Sequence, residues 1–185
     1  MSEVILEVSE EFFRNRGFFI TRYDNLLLIR GRKTSNQPAQ FLLQEPEVHL
    51  IANAVVKVVG WHTCKITTKV LSQFPEILQF VRQENLARIA RHFHDEPFAK
   101  ILILPQLPAS QDLREKTIVR LKESSIDHVL LLPDVLTAVI KDIEPRHVYS
   151  SQVCELLRTL KFYRLVSIPR TEQMELPLKA KHGPA

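Results

Sequence analysis

Several groups of residues in this chain have types and spacings that could do chemistry. Near the front stand Arg14, Arg16, Arg22, Arg30, Arg32 and Lys33, with Tyr23 among them. Such a set can contact the phosphates of a nucleic-acid backbone without reading sequence. It can equally be the charge that keeps a hairpin edge from pairing with other chains. Trp61-His62-Thr63-Cys64-Lys65 offers a stacking surface, a titratable imidazole and a cation side by side. The plainer alternative is a tryptophan closing the end of a sheet, with His62 bonded to backbone. His92-Phe93-His94-Asp95 has the composition of a metal site but not its spacing. Residues two apart face different sides of a helix, and no third ligand is spaced to help. Finally, Gln173-Met174-Glu175-Leu176-Pro177-Leu178 alternates apolar and other residues. In an extended chain Met174, Leu176 and Leu178 turn to one side. Gln173 can both donate and accept a hydrogen bond, and Pro177 limits the freedom lost on docking. Leu176 and Leu178, if fully buried in a partner's pocket, contribute roughly 1.5–3 kcal/mol each. The bland alternative is an arm packed on its own domain, or a linker.

The elements that must position these residues follow from apolar patterning. The chain has 185 residues, 45% hydrophobic and 25% charged, which fits one globular domain with a real core and argues against wholesale disorder. Val4, Ile5, Val8 and Phe12 predict an amphipathic helix over Glu3 to Arg16, stopped by Gly17. Phe18 to Thr21 and Leu26 to Arg30 predict an antiparallel hairpin about Tyr23-Asp24-Asn25. Arg32 to Pro38 reads as a polar loop, Phe41-Leu42-Leu43 as a strand or its edge, and Pro46 to Ile51 is ambiguous. Ala54 to Gly60 is rich in β-branched residues and predicts a central strand buried on both faces, with Lys57 its one polar member. Thr67, Thr68 and Pro75 lead into a helix predicted over Glu76 to Phe93. Ile101 to Leu104 and His128 to Leu132 predict buried strands. Helices follow from Ser110 to Ser124, with Leu113, Ile118 and Leu121 inward, from Pro133 to about Asp142, and from Ser151 to Tyr163, carried by Val153, Leu156, Leu157 and Leu160. Alternating strand and helix with apolar strands implies parallel pairing. The expectation is an α/β three-layer domain with a mixed sheet over residues 1–166, and an extended tail over 167–185.

Composition excludes several classes. No apolar run reaches the roughly 18 residues needed to cross a bilayer. Met1-Ser2-Glu3 does not begin a signal peptide, and Cys64 and Cys154 form no CxxC pair, so a cytoplasmic location without a cysteine-based zinc site is expected. Lys and Arg number 25 against 21 Asp and Glu, a balance that permits a nucleic-acid partner without requiring one. No Ser-His-Asp constellation or glycine-rich phosphate loop is present, and there are only four glycines.

The order helix, hairpin strands, central strand, helix, strand resembles the restriction-endonuclease-like core of the PD-(D/E)XK nucleases, over roughly residues 7 to 132. Active members of that superfamily place one acid before a strand and an acid-x-Lys triple on the next. The carboxylates hold a divalent metal and the lysine helps position the attacking water. Pro46-Glu47 stands where the first acid is expected. The central strand reads Lys57-Val58-Val59, so the resemblance implies a catalytically degenerate member with no cofactor. The alternative is an active metal-dependent endonuclease using Mg²⁺ or Mn²⁺, with Glu11, Asp24 and Glu47 as its acids. Glu47 can also be a plain loop carboxylate. The hexapeptide Gln173 to Leu178 is similar to the bacterial sliding-clamp-binding motif, which implies Gln173, Met174, Leu176 and Leu178 as contacts to the clamp of the replicative polymerase. Together these imply a cytoplasmic DNA replication or repair accessory protein that binds DNA through the basic hairpin and has no membrane partner. A protein-interaction domain without a nucleic-acid role is the remaining possibility.

Overall fold

The structure, a computed structural model, describes residues 3–31, 33–34, 37–38, 41–44, 48–60 and 63–166, with the backbone alone within 33–51. Arg32, Glu47, Trp61, His62, Gln173, Met174, Leu176 and Leu178 lie outside the described residues, as does the side chain of Lys33.

Helix α1 (Glu3–Arg14) leads into an antiparallel pair, β1 (Phe18–Tyr23) and β2 (Leu26–Gly31). Gly17 ends the helical turn at φ 84°, a left-handed conformation that glycine adopts without steric cost. Two short antiparallel ladders follow, β3 (Lys33–Thr34) with β4 (Gln37–Pro38) and β5 (Phe41–Gln44) with β6 (Val48–Ile51). The stretch expected as a polar loop thus carries a small ladder. Its pairing is local and backbone-driven, and apolar periodicity does not register it.

Strand β7 (Asn53–Val58) returns to the main sheet. Helix α2 (Thr68–Gln73), a 3-10 helix η1 (Pro75–Val81) and helix α3 (Gln83–His92) then precede β8 (Ala99–Leu104). Helix α4 (Gln111–Glu123), β9 (His128–Leu131), α5 (Leu132–Asp142) and α6 (Gln152–Phe162) complete the described chain. The five-stranded sheet runs β1-β2-β7-β8-β9, with β1, β2 and β7 antiparallel in turn and β7, β8 and β9 parallel. The sheet is therefore mixed, and β7 is its middle strand.

Alternation along the strands feeds two cores. Leu27, Ile29, Ala54, Val56, Ile101 and Ile103 pack against α1, α5 and α6 on one face. Leu26, Leu28, Val55, Leu102 and Leu104 pack against α2, η1, α3 and α4 on the other. Helices on both faces of one sheet give the expected three layers. Ile101, Leu102, Ile103 and Leu104 are all fully buried. Truncating one of them to alanine is expected to cost about 2–5 kcal/mol.

Two helix starts are capped as their sequences suggest. Thr67 Oγ1 accepts from the Val70 amide at 3.2 Å, and Ser151 Oγ from the Cys154 amide at 3.4 Å. Ser110 occupies the cap position of α4 but makes no side-chain cap bond. At the far end of α5, the Lys161 ammonium on α6 donates to the carbonyls of Ile140, Lys141 and Ile143 at 2.7, 3.1 and 2.6 Å. A cation thereby satisfies the carbonyls that a helix end leaves without partners.

Three helical expectations need correction. The span from Glu76 to Phe93 is not one helix, because Arg82 is extended at φ −68°, ψ 144° between η1 and α3. Ile77 and Phe80, both buried, are three apart, the spacing of a 3-10 turn. Leu113 on α4 is 47% exposed, and Thr117 and Leu121 are the buried members of that helix. Leu156 on α6 is 59% exposed, and Cys154 takes the buried position. No helix among the described residues is long and apolar enough to cross a membrane.

Candidate functional site

A cleft of about 200 Å³ opens at the carboxyl end of β7, on the α3 side of the sheet. In open α/β sheets this end of the strands is where ligands gather. Each wall comes from a different element. The β1–β2 hairpin contributes Tyr23 from β1 and the turn residues Asp24 and Asn25, β7 contributes Lys57, η1 contributes Glu76 and Gln79, and α3 contributes Asn85 and Arg88. The floor is apolar, formed by the buried Leu26, Phe80 and Ile89.

Register explains why these residues meet. Tyr23 pairs with Leu26 across the turn, which leaves Asp24 and Asn25 as its two tip residues. Asp24 takes φ 50°, a conformation that a short polar side chain tolerates better than a bulky one. Leu26 pairs with Lys57, so the first residue of β2 and the penultimate residue of β7 sit side by side. Leu26, Leu28 and Val55 all enter the α3-side core, and Lys57 shares their face two residues beyond Val55. Burial pushes the Lys57 ammonium below its ordinary pKa, and the Glu76 carboxylate opposes that shift in part. On the rim, the Arg88 guanidinium lies over the Tyr23 ring at 5.9 Å, and the His92 ring packs on Tyr23 at 4.5 Å. Arg88 and His92 are four apart on α3 and so share one side of it. Asn85 Nδ2 donates to the Gln79 carbonyl at 2.7 Å, tying α3 to η1.

Of the carboxylates considered for catalysis, Asp24 borders the cleft. Glu11 does not: it is buried on α1, across the sheet, and receives a hydrogen bond from Arg14 on the same helix. The basic residues of the front segment are also divided. Arg22 points to the α1 side, where Glu3 and Glu10 both accept from it and hold its pKa above the ordinary value. Arg16 lies over the Phe12 ring at 3.8 Å and donates to Asp142 at 3.4 Å; burial lowers its pKa. Arg30 is on the opposite side of the sheet, donating to the His92 carbonyl and facing the Phe93 ring at 5.8 Å. The arginines expected to form one phosphate-contacting face therefore sit on two faces, and Arg14, Arg16 and Arg22 are paired with acids. His94 and Asp95, at φ 54° and 59°, form the turn after α3. Among the described residues no three His, Cys, Asp or Glu side chains are grouped to hold a metal ion.

Lys57 and Glu76 are the residues that motif reading passes over as functional. The signal for Lys57 was present: a lone charge inside the run Ala54-Val55-Val56-Lys57-Val58-Val59 must open onto something other than the core. Glu76 had no such signal, because only the break at Arg82 and the packing of η1 bring it to the strand end. Chemically the cleft combines two carboxylates from separate elements, a half-buried lysine, an exposed arginine and three side-chain amides over an apolar floor. Comparison of the chain with family models, curated proteins and solved structures finds no match.

Proposed function

We propose that this protein is a metal-dependent nuclease of restriction-endonuclease-like type, cleaving phosphodiester bonds in the cleft at the end of β7. The observation that carries the proposal is the convergence of Asp24, Lys57 and Glu76 on that one cleft. The succession of a helix, an antiparallel three-strand meander, helices and a parallel strand supports it, being the order on which the superfamily resemblance rests. If the lysine ends the acid-x-Lys triple, the triple is Val55-Val56-Lys57. Val55, fully buried, then stands in the acid's place, and Glu76 supplies a carboxylate from η1 instead.

The residues suit a hard divalent cation. Mg²⁺ keeps several waters and needs only one or two carboxylates alongside substrate phosphate oxygens, which Asp24 and Glu76 can provide. When bound there, Mg²⁺ or Mn²⁺ supplies polarisation of the phosphoryl group and acidification of water. Lys57, whose pKa burial lowers, would offer its ammonium to charge developing on a phosphoryl oxygen bound in the cleft. Arg88 offers a planar cation at the rim. The proposal extends to a cytoplasmic role in DNA replication or repair, with Gln173, Met174, Leu176 and Leu178 delivering the enzyme to the sliding clamp.

The test is incubation with labelled single-stranded and duplex DNA in Mg²⁺ and in Mn²⁺. Cleavage is expected to fall about 10²–10³-fold in Asp24→Asn and in Glu76→Gln. Cleavage by both variants at the wild-type rate would remove the site assignment. Failure of the wild type to cleave in either metal would leave the second reading, a catalytically degenerate DNA-binding accessory protein, which the apolar Val55 favours.

A further inference from the structure

We infer, on the basis of the nuclease reading, that the cleft takes an unpaired nucleotide, so that the substrate is single-stranded or locally unpaired nucleic acid. Charge is the first consideration. Lys57 and Arg88 in the cleft are balanced by Asp24 and Glu76. On the α1 side Arg14 and Arg22 are likewise matched by Glu11, Glu3 and Glu10. Duplex binding without base contacts relies on uncompensated cations that displace counterions from the phosphates. With no divalent cation bound the cleft carries no such surplus, so affinity in that state must come from contacts other than phosphate pairing.

The cleft is built for those contacts. A floor of Leu26, Phe80 and Ile89 rewards insertion of an apolar ring and does nothing for a phosphate. In a duplex the bases stay stacked inside, and only the sugar–phosphate rim meets a concave surface. An unstacked base reaches the floor. Asn25, Gln79 and Asn85 on the walls can each both donate and accept, which suits the hydrogen-bonding edge of a base. Arg88, held over Tyr23, presents a flat cation on which a base can stack at the rim.

The experiment uses the full chain and fluorescence anisotropy in EDTA, which suppresses hydrolysis. Three labelled probes carry the same number of phosphates per strand: a single-stranded oligonucleotide, its blunt duplex, and a single strand in which the central bases are replaced by abasic sites. The ordinary single strand should bind about tenfold or more tighter than either other probe, and Arg88→Ala should erase most of that difference. Equal affinity for the three probes, tighter binding of the duplex, or no binding of any probe would overturn the inference. The nuclease reading is separable. Cleavage of duplex and single strand at equal rates in Mg²⁺ would overturn only the substrate class. A base-dependent single-strand preference without cleavage in Mg²⁺ or Mn²⁺ would overturn only the hydrolysis.

Discussion

Replacing Lys161 by methionine tests whether the ammonium cap on α5 stabilises the domain as its geometry implies. The methionine stem retains most of the packing and removes the donor. The two shortest bonds, 2.7 and 2.6 Å, go to the part-buried carbonyls of Ile140 and Ile143. Losing the donor to each costs about 1 kcal/mol, given that a net hydrogen bond contributes roughly that much and an unsatisfied buried acceptor costs more. Removing the cation from a helix C-terminus adds about 0.3–1 kcal/mol. The bond to Lys141, at an exposed carbonyl, adds little because water replaces it. The expected loss is about 2–3 kcal/mol, which for a domain of this size corresponds to a fall in Tm of about 5–10 °C. Urea unfolding followed by far-UV circular dichroism gives the free energy. Lys141→Met, which removes an exposed side chain from the last turn of the same helix, should change stability by about 0.3–1 kcal/mol. A Lys161→Met loss no larger than that of Lys141→Met would refute the reasoning, because the three carbonyls would then be as well served by water.

Lys57 gives a prediction in the alkaline range. Its folded pKa lies below the unfolded value of about 10.4, so the unfolded state holds the proton more tightly and stability rises with pH as Lys57 deprotonates. That gain is complete above the unfolded pKa and is lost as pH falls through the folded one. Lys57→Met should flatten the alkaline rise in a denaturation series and should also abolish cleavage; an unchanged rise would show that other groups cause it. Thr67→Ala should cost about 1 kcal/mol by removing the acceptor for the Val70 amide, measured by urea midpoint, whereas Thr67→Ser should cost less. A pull-down against purified sliding clamp should capture the wild type and lose Leu176→Ala plus Leu178→Ala, and equal capture of both would remove the clamp from the proposal.

Most of the sheet was legible in the sequence, for a reason visible in its composition. Val55, Val56, Ile101 to Leu104 and Val129 to Leu131 form continuous apolar runs, because strands with helices on both faces leave no face for polar residues. Helix faces were less legible. Leu113 and Leu156 are exposed, while Thr117 and Cys154 fill the buried positions, since packing against a particular neighbour outweighs side-chain hydrophobicity at one position. The cleft was legible only in fragments. Asp24, Lys57, Glu76 and Arg88 come from a turn, a strand, a 3-10 helix and an α-helix. What unites them is the pairing of Leu26 with Lys57 and the interruption at Arg82, neither of which a local pattern encodes. From the sequence, Lys57 falls at the acid's place of the triple, in Lys57-Val58-Val59.

The extended backbone at Arg82 has a mechanical corollary. One jaw of the recess, bearing Glu76 and Gln79, and the other, bearing Asn85 and Arg88, are joined in the chain by that single residue outside either helix. Across that joint the jaws are held together by the Asn85 donation to the Gln79 carbonyl at 2.7 Å and by the shared burial of Ile77, Phe80 and Ile89, while β7 is locked between two neighbours by its ladders. The width of the opening is thus fixed by contacts between η1 and α3, and the position of Lys57 by the ladders of the sheet.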